Sequence, residues 1–181
     1  NQGAPQVAYK EALTKQITHR EVYKKQSGGR GKFADMQIEI GPADEDFLKE
    51  DKGNFQFIND IFGGAIPREF IPAIIKGFES SMNNGIIAGY PLDNMRVRVY
   101  DGSYHQVDSD AKAFELCAKS AFRAASKLAK PCILEPIMKI EVLTPDQYMG
   151  DVSGDLNRRR ALLEGMDSRN NLQVIKAKVP L

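Results

Sequence analysis

The sequence has no long apolar run and no recognisable targeting segment. Its apolar runs are short, as in Gly85–Gly89, whereas a membrane helix needs ~20 consecutive apolar residues. Residues Asn1–Pro5 contain neither a positively charged segment nor an apolar one, so no signal peptide is visible. We therefore expect a cytoplasmic protein without a membrane partner. Because the chain does not begin with Met, we also expect it to be a piece of a longer protein.

Cysteine and histidine are scarce, with two residues of each type. Cys117 falls in an alanine-rich helical pattern and Cys132 follows a proline, which favours two buried free thiols over a disulfide. The chain has no CxxC motif, and its histidines are His19 and His105 alone, so a structural zinc site is not expected. The composition therefore argues against a fold held together by disulfides or zinc.

Acidic and basic residues nearly balance, but they are unevenly distributed. Residues 1–34 contain seven Lys and Arg against two Glu, a net charge of +5. Residues 35–54 contain two Lys against seven Asp and Glu, a net charge of −5. A basic arm can bind phosphate even in a nearly neutral protein, although the charges fit two solvated strand faces equally well.

Apolar spacing predicts strands and helices in mixed order. Met36, Ile38 and Ile40 alternate with polar residues, which is typical of a half-buried strand. After Pro67, apolar residues recur every four positions, which is typical of a helix. We expect strands near residues 6–25, 36–40, 55–61, 95–99, 137–143, 161–167 and 172–179, and helices that begin near residues 67, 108 and 144.

Local signals predict how several of these elements begin or end. Gly85 is suited to end the first helix, and Asp101–Gly102 to form a turn after a strand. The acidic stretch Asp44–Asn54 is expected to be a surface loop. Thr144 and Gln147 have the spacing of a capping box at the start of the third helix.

The pattern of elements changes around residue 134. From residue 135 onward, strand–helix–strand–strand is the first part of a split β-α-β fold, whose closing helix and strand are missing from the sequence. We therefore expect a complete domain over residues 1–134 and an incomplete one over residues 135–181.

The most unusual segment is the glycine-rich run from Gln26 to Lys32. Its glycines permit positive φ and close approach of another backbone, and Arg30 and Lys32 supply charge-assisted donors for phosphate. The run is not a nucleotide P-loop, because Gln26 stands where that pattern needs Gly and Phe33 stands where it needs Ser or Thr. An exposed flexible turn and a nucleic-acid contact both fit this segment.

A second candidate is Asp101–His105, which holds Asp, Ser, Tyr and His in one short run. The fold, not sequence proximity, usually assembles the triad of a hydrolase, and the chain has no GxSxG motif. Tyr104 and His105 belong to residue types that stack on exposed bases. We favour a loop that presents these rings to a partner, with a polar loop that has no partner as the alternative.

Several short runs follow one another in a recognisable order. They are Pro5–Tyr9, Lys25–Gly31, Gly63–Pro67, Ala88–Pro91, Asp101–His105, Leu134–Met138, Gly150–Val152 and Gly154–Asn157. Together they resemble the C-terminal half of the bacterial translation elongation factor G family, over essentially the whole chain. The resemblance implies an α/β fold of the two-layer α+β kind. Residues 1–134 would form a ribosomal-protein-S5-like fourth domain with a left-handed βαβ crossover, and residues 135–181 part of a ferredoxin-like fifth domain.

The resemblance also implies a role in moving tRNA and messenger RNA through the ribosome. Two loops at the tip of the fourth domain would contact the decoding region and the tRNA–mRNA duplex. The implied contact residues are Gln26, Ser27, Gly28, Gly29, Arg30, Gly31, Lys32, Ser103, Tyr104 and His105. The fifth domain would lie near the large-subunit region that governs GTP hydrolysis.

The implied GTP and Mg²⁺ would be bound by an upstream domain of the parent protein. We therefore expect no catalytic, cofactor or metal site in this chain and no enzymatic activity of the chain alone. The parent is expected to be a monomer, whereas the incomplete second domain could let the chain self-associate.

Two other functions are alternatives. A tetracycline-resistance-type ribosome protection protein is a close relative, but such proteins usually carry different tip loops. A GHMP-type small-molecule kinase would need a Gly/Ser-rich phosphate loop that opens a helix. Gly63–Ala65 is the single candidate for such a loop, and it lacks the serines.

Overall fold

The computed structural model describes residues 3–4, 6–26 and 28–181. The chain forms two compact units. One comprises Lys10–Leu134, and the other comprises Glu135–Leu181 together with N-terminal residues up to Tyr9. Among the described residues, no helix is long and apolar enough to cross a membrane.

The first unit contains a four-stranded sheet, a short two-stranded ribbon and three helices. The strands are β1 (Lys10–Ala12), β2 (Ile17–Lys25), β3 (Lys32–Pro42), β4 (Phe55–Asn59), β5 (Met95–Ser103) and β6 (Cys132–Leu134), and the helices are α1 (Glu45–Lys49), α2 (Ile71–Ser81) and α3 (Ala111–Leu128). The sheet order is β2-β3-β5-β4, in which β4 and β5 are parallel and the other pairs antiparallel. Strands β1 and β6 form the ribbon.

Helices α2 and α3 pack together and cover the apolar face of this sheet. Met36, Ile38 and Ile40 of β3 are fully buried in one core with Phe78 of α2 and Phe114 of α3. The helices approach closely at one glycine of α2, Gly77, because a Cβ there would lie 2.6 Å from a carbonyl oxygen of α3. The unit therefore has two layers, one of strands and one of helices, as the resemblance implies.

Three local predictions about this unit are wrong. The stretch Asp44–Asn54 contains the short helix α1 in addition to loop residues. Asp101–Gly102 is not a turn, because both residues continue β5 and pair with β3. Gly85 does not end α2, which stops at Ser81. A Cβ on Gly85 would lie 2.3 Å from the carboxyl carbon of Glu11, so this glycine leaves room for a buried carboxylate.

The second unit contains strands β7 (Ile137–Thr144), β8 (Leu162–Arg169) and β9 (Leu172–Pro180) and helix α4 (Met149–Arg158). The antiparallel sheet has the order β7-β9-β8, and α4 packs Leu156 against Ile175 and Ala177. The predicted strand–helix–strand–strand order is therefore present. The predicted capping box is wrong, because a 3-10 turn without a side-chain cap precedes α4 and the Thr144 hydroxyl donates to the Pro145 carbonyl.

Candidate nucleic-acid interface

The sheet of the first unit brings two loops to one end. Loop 26–31 joins β2 to β3, and loop 104–110 joins β5 to α3. Lys25 at the end of β2 pairs with Lys32 at the start of β3, and Asp35 of β3 pairs with Ser103 at the end of β5. Because β5 runs antiparallel to β3, the glycine-rich run and the Tyr104–His105 run lie at the same end of the sheet. We call these two loops the tip.

Hydrogen bonds fasten loop 104–110 to the start of β3, directly after loop 26–31. The Phe33 amide donates to the Asp108 carbonyl at 2.9 Å, and the hydroxyl of buried Ser109 donates to the Phe33 carbonyl at 2.7 Å. The same hydroxyl accepts from the His105 amide at 2.9 Å. Ser109 therefore ties loop 104–110 to the strand that directly follows loop 26–31.

An aromatic stack also joins loop 104–110 to the start of β3. The rings of Phe33 and His105 have centroids 3.8 Å apart and planes inclined by 1°. His105 is exposed. One face of its imidazole is covered by Phe33, so the opposite face is the one that can stack on a base.

Arg30 is held in a defined position at the tip. Its Nε donates to the Val107 carbonyl at 2.8 Å, and its terminal guanidinium nitrogens have no hydrogen-bond partner among the described residues. These nitrogens can donate together to one phosphate, which is the geometry that arginine uses in anion recognition. Exposed Lys24 and Lys25 add two further cations at the end of β2.

Lys32 is less available than the sequence suggests, because it forms an ion pair with Asp110. Asp110 also caps α3 by accepting from the Ala113 amide at 2.7 Å. Partial burial alone would raise the pKa of the Asp110 carboxyl, but the hydrogen bonds from Lys32 and the Ala113 amide outweigh it and lower that pKa. Lys32 therefore fixes the start of α3 beside the tip.

Ser103 is exposed and takes part in a hydrogen-bond network around the buried Asp35 carboxylate. Its hydroxyl donates to Asp35 at 2.7 Å, and Arg20 donates to both oxygens of the same carboxylate at 3.0 and 2.9 Å. Burial favours a higher pKa for Asp35, but these hydrogen bonds prevail and lower it. Since its proton is engaged, the Ser103 hydroxyl is left with acceptor capacity toward a partner.

Most residues proposed for contact share this end of the sheet. Gln26, Gly28 and Gly29 are exposed, and Tyr104 retains 39% of its surface accessibility. Gly28 has φ +47°, which glycine adopts without strain. Gly31 is half-buried, and Ser27 lies outside the described residues.

The sequence did not identify Lys24, Val107 or Asp108 as parts of this region. Lys24, Phe33 and Asp108 line a cleft of about 230 Å³ together with Lys25, Gln26, Gly31, Lys32 and His105. Lys24 carried a usable signal, because it belongs to a basic pair directly before the glycine-rich run. The contributions of Val107 and Asp108 are made through backbone carbonyls, which any residue supplies.

The described part of the chain contains no group of three or more His, Cys, Asp or Glu side chains that could hold a metal ion. The tip presents cations, a ring face and glycine backbone beside the half-buried carboxyl group of Asp108. This combination suits a nucleic acid, because cations bind phosphates and rings stack on bases.

Comparison with known proteins assigns the family. The model described as Elongation factor G, domain IV, matches residues 5–130, and the model of the Elongation factor G C-terminus matches residues 132–181. The chain belongs to the elongation factor G family. The resemblance expected from the short runs is thereby confirmed.

Individual relatives agree with this assignment. The chain is 58% identical to elongation factor G of Amoebophilus asiaticus and 59% identical to that of Cytophaga hutchinsonii, in each case over 100% of this chain and 25% of the relative. It is also similar to a crystal structure from Thermus thermophilus, with a TM-score of 0.82 and 37% identity over 99% of this chain and 26% of that one. The chain thus spans about a quarter of the curated elongation factor G sequences that it matches.

Proposed function

We propose that this chain is the RNA-contacting portion of a translation elongation factor that moves tRNA and messenger RNA through the ribosome. The observation that carries the proposal is the tip, where the terminal guanidinium nitrogens of Arg30 have no hydrogen-bond partner among the described residues. Two exposed lysines and the face of exposed His105 opposite Phe33 lie at the same end of the sheet. Membership of the elongation factor G family supplies the biological setting.

The proposed contacts divide by chemistry. Arg30, with Lys24 and Lys25, binds phosphates without regard to sequence, while Lys32 holds the start of α3. His105 and Tyr104 stack on bases, and Ser103 accepts a hydrogen bond from a ribose hydroxyl or a base amino group. Gln26, Ser27, Gly28, Gly29 and Gly31 let the RNA approach the backbone closely.

In this proposal the chain performs no covalent chemistry. An upstream domain binds GTP and Mg²⁺, and the nucleotide state orders and releases the whole factor on the ribosome. Residues 1–134 act as a rigid domain at the decoding region, and residues 135–181 belong to a domain near the large-subunit region that governs GTP hydrolysis. The parent factor works in the cytoplasm as a monomer.

The salt dependence of ribosome binding tests this proposal. The Lys24→Ala/Lys25→Ala variant of the full-length factor, bound to a non-hydrolysable GTP analogue, should bind ribosomes more weakly. Its plot of log affinity against log salt should lose about 0.7–0.9 of slope for each phosphate contact removed. The matched control is Lys49→Ala/Lys52→Ala, which removes the same charge at the opposite end of the sheet. Equal slopes for both variants would contradict the proposal.

A further inference from the structure

One large apolar side chain is almost completely exposed. Phe62 retains 91% of its accessible surface, whereas the other large apolar residues described as exposed retain 67% or less. Phenylalanine is normally buried, and an exposed ring contributes little to the stability of a fold. Phe62 belongs to the run Ile61–Pro67, which follows β4 and which the proposed contacts leave unassigned.

A tight turn holds Phe62 outward. The Ala65 amide donates to the Phe62 carbonyl at 3.4 Å, and the two residues between them, Gly63 and Gly64, have φ of +64° and +71°. Positive φ at both central positions is the feature that defines a type I′ turn and favours glycine there. The two glycines are therefore explained by a turn that presents Phe62, and not by a phosphate loop.

The residues around this turn anchor it beside the tip. The Asp60 amide donates to the Val99 carbonyl at 2.9 Å, which continues the parallel pairing of β4 with β5. Ile66 is 2% exposed, and a Cβ on Gly102 would lie 2.6 Å from its side chain. Gly102 and Ser103 end β5, directly before loop 104–110. Because β4 is parallel to β5, the Phe62 turn lies at the same end of the sheet as the tip loops.

We infer that Phe62 is a third RNA-contacting element, an aromatic platform on which one unpaired base stacks. The inference rests on the proposed function, since it assumes that this end of the sheet faces RNA. Aromatic rings are used in this way by proteins that bind single-stranded nucleic acid. A ring followed by two exposed glycines offers its faces to a flat partner. A protein partner that docked through apolar contacts would need a contiguous exposed apolar patch. Ile66 beside the turn is buried and adds nothing to such a patch.

Three substitutions separate stacking from general apolar contact. In the full-length factor, Phe62→Leu should weaken binding to ribosomes about fivefold or more, the smallest loss measured when one base–aromatic stack is removed. Phe62→Ala should behave similarly, whereas Phe62→Tyr should retain the affinity. All three variants should keep the melting temperature of the parent, because the side chain makes little contact with its own fold. A Phe62→Leu variant with full affinity would overturn the inference.

Photocrosslinking identifies the partner directly. Benzoylphenylalanine at position 62 of the full-length factor should crosslink to ribosomal RNA, tRNA or messenger RNA when the factor is bound to the ribosome. Crosslinks to ribosomal protein alone, or none above background, would overturn the inference. Arg30→Ala, assayed in parallel, separates failure of the Phe62 inference from failure of the proposed function. If it impairs RNA movement while every Phe62 variant is normal, this inference fails and the proposed function stands; if neither has an effect, the proposed function fails.

Discussion

Phe33 and His105 stack face to face with ring centroids 3.8 Å apart, and this contact joins loop 104–110 to the start of β3. Removing the ring while keeping an apolar side chain, as in Phe33→Leu, should loosen loop 104–110 without unfolding the core. The loss of about 1 kcal/mol of aromatic stacking should speed hydrogen exchange of the His105 amide about fivefold. Phe33→Tyr should keep the parental exchange rate. Unchanged exchange in Phe33→Leu would show that the hydrogen bonds alone order the loop.

Glu11 supports a different loop, and its role is structural. Its fully buried carboxylate accepts from the amides of Ile87, Ala88 and Tyr90 at 2.8, 3.0 and 3.0 Å. Glu11→Gln removes the negative charge and turns an NH₂ donor toward amides that are themselves donors. We expect a loss of about 2–3 kcal/mol in the free energy of unfolding, measured by urea denaturation. Parental stability in this variant would show that these three hydrogen bonds, here called the Glu11 clamp, do not stabilise the fold.

Gly85 provides a second test of the same clamp. A Cβ at this position would press on the Glu11 carboxylate, so Gly85→Ala should destabilise the chain by about 1–3 kcal/mol. Combining it with Glu11→Ala should cost clearly less than the sum of the two single changes, because the obstructing group is gone. Additive effects would mean that Gly85 is required for another reason.

Gly85 and Gly102 show why the sequence predicts the fold only in part. The periodic apolar residues of β3, α2 and α3 predict their elements, because burial of one face leaves a repeating pattern. Gly85 and Gly102 were predicted to end a helix and to form a turn, and both predictions are wrong. Each glycine makes room for atoms distant in sequence, the Glu11 carboxylate in one case and the Asp35 carbonyl and Ile66 side chain in the other. Local pattern contains no information about such contacts.

The sequence predicts the candidate site in part as well. The glycine-rich run and the Asp101–His105 run predict two loops, and the resemblance predicts that both lie at one tip. Three features depend on tertiary contacts: the engagement of Ser103 by Asp35, the pairing of Lys32 with Asp110, and the exposure of Phe62. No spacing rule connects these positions, so the structure was needed to find them.

The Asp35 network predicts a specific dependence of stability on pH. Because the pKa of Asp35 is lowered in the folded chain, its contribution is fully present above the unfolded pKa of ~3.9 and is lost as the pH falls through the lower folded pKa. Ser103→Ala should cost about 1 kcal/mol at pH 7, and this difference should shrink below pH ~4. Urea denaturation of both chains from pH 3 to 7 measures it. A difference that stays constant over this range would exclude Asp35 as its source.

The two thiols should differ in reactivity. Cys117 is fully buried, and burial, reinforced by nearby Glu21, raises the pKa of its thiol to about 12. Cys132 is only half-buried, so the prediction of two buried thiols is correct for Cys117 alone. At pH 8 we expect a thiol reagent to modify Cys132 in the folded chain and Cys117 only after denaturation. Equal rates at the two sites, followed by mass spectrometry, would contradict the described burial.

Single-round movement of tRNA and messenger RNA by the full-length factor carrying Arg30→Ala tests most directly whether the tip acts on RNA. We expect slower movement, with a defect that depends on salt, while the multiple-turnover GTPase rate and the melting temperature stay near parental values. Arg123→Ala, which removes an exposed arginine from α3, should move RNA normally. Normal movement by Arg30→Ala, or a defect matched by a large drop in melting temperature, would contradict the claim that Arg30 acts on RNA at the tip.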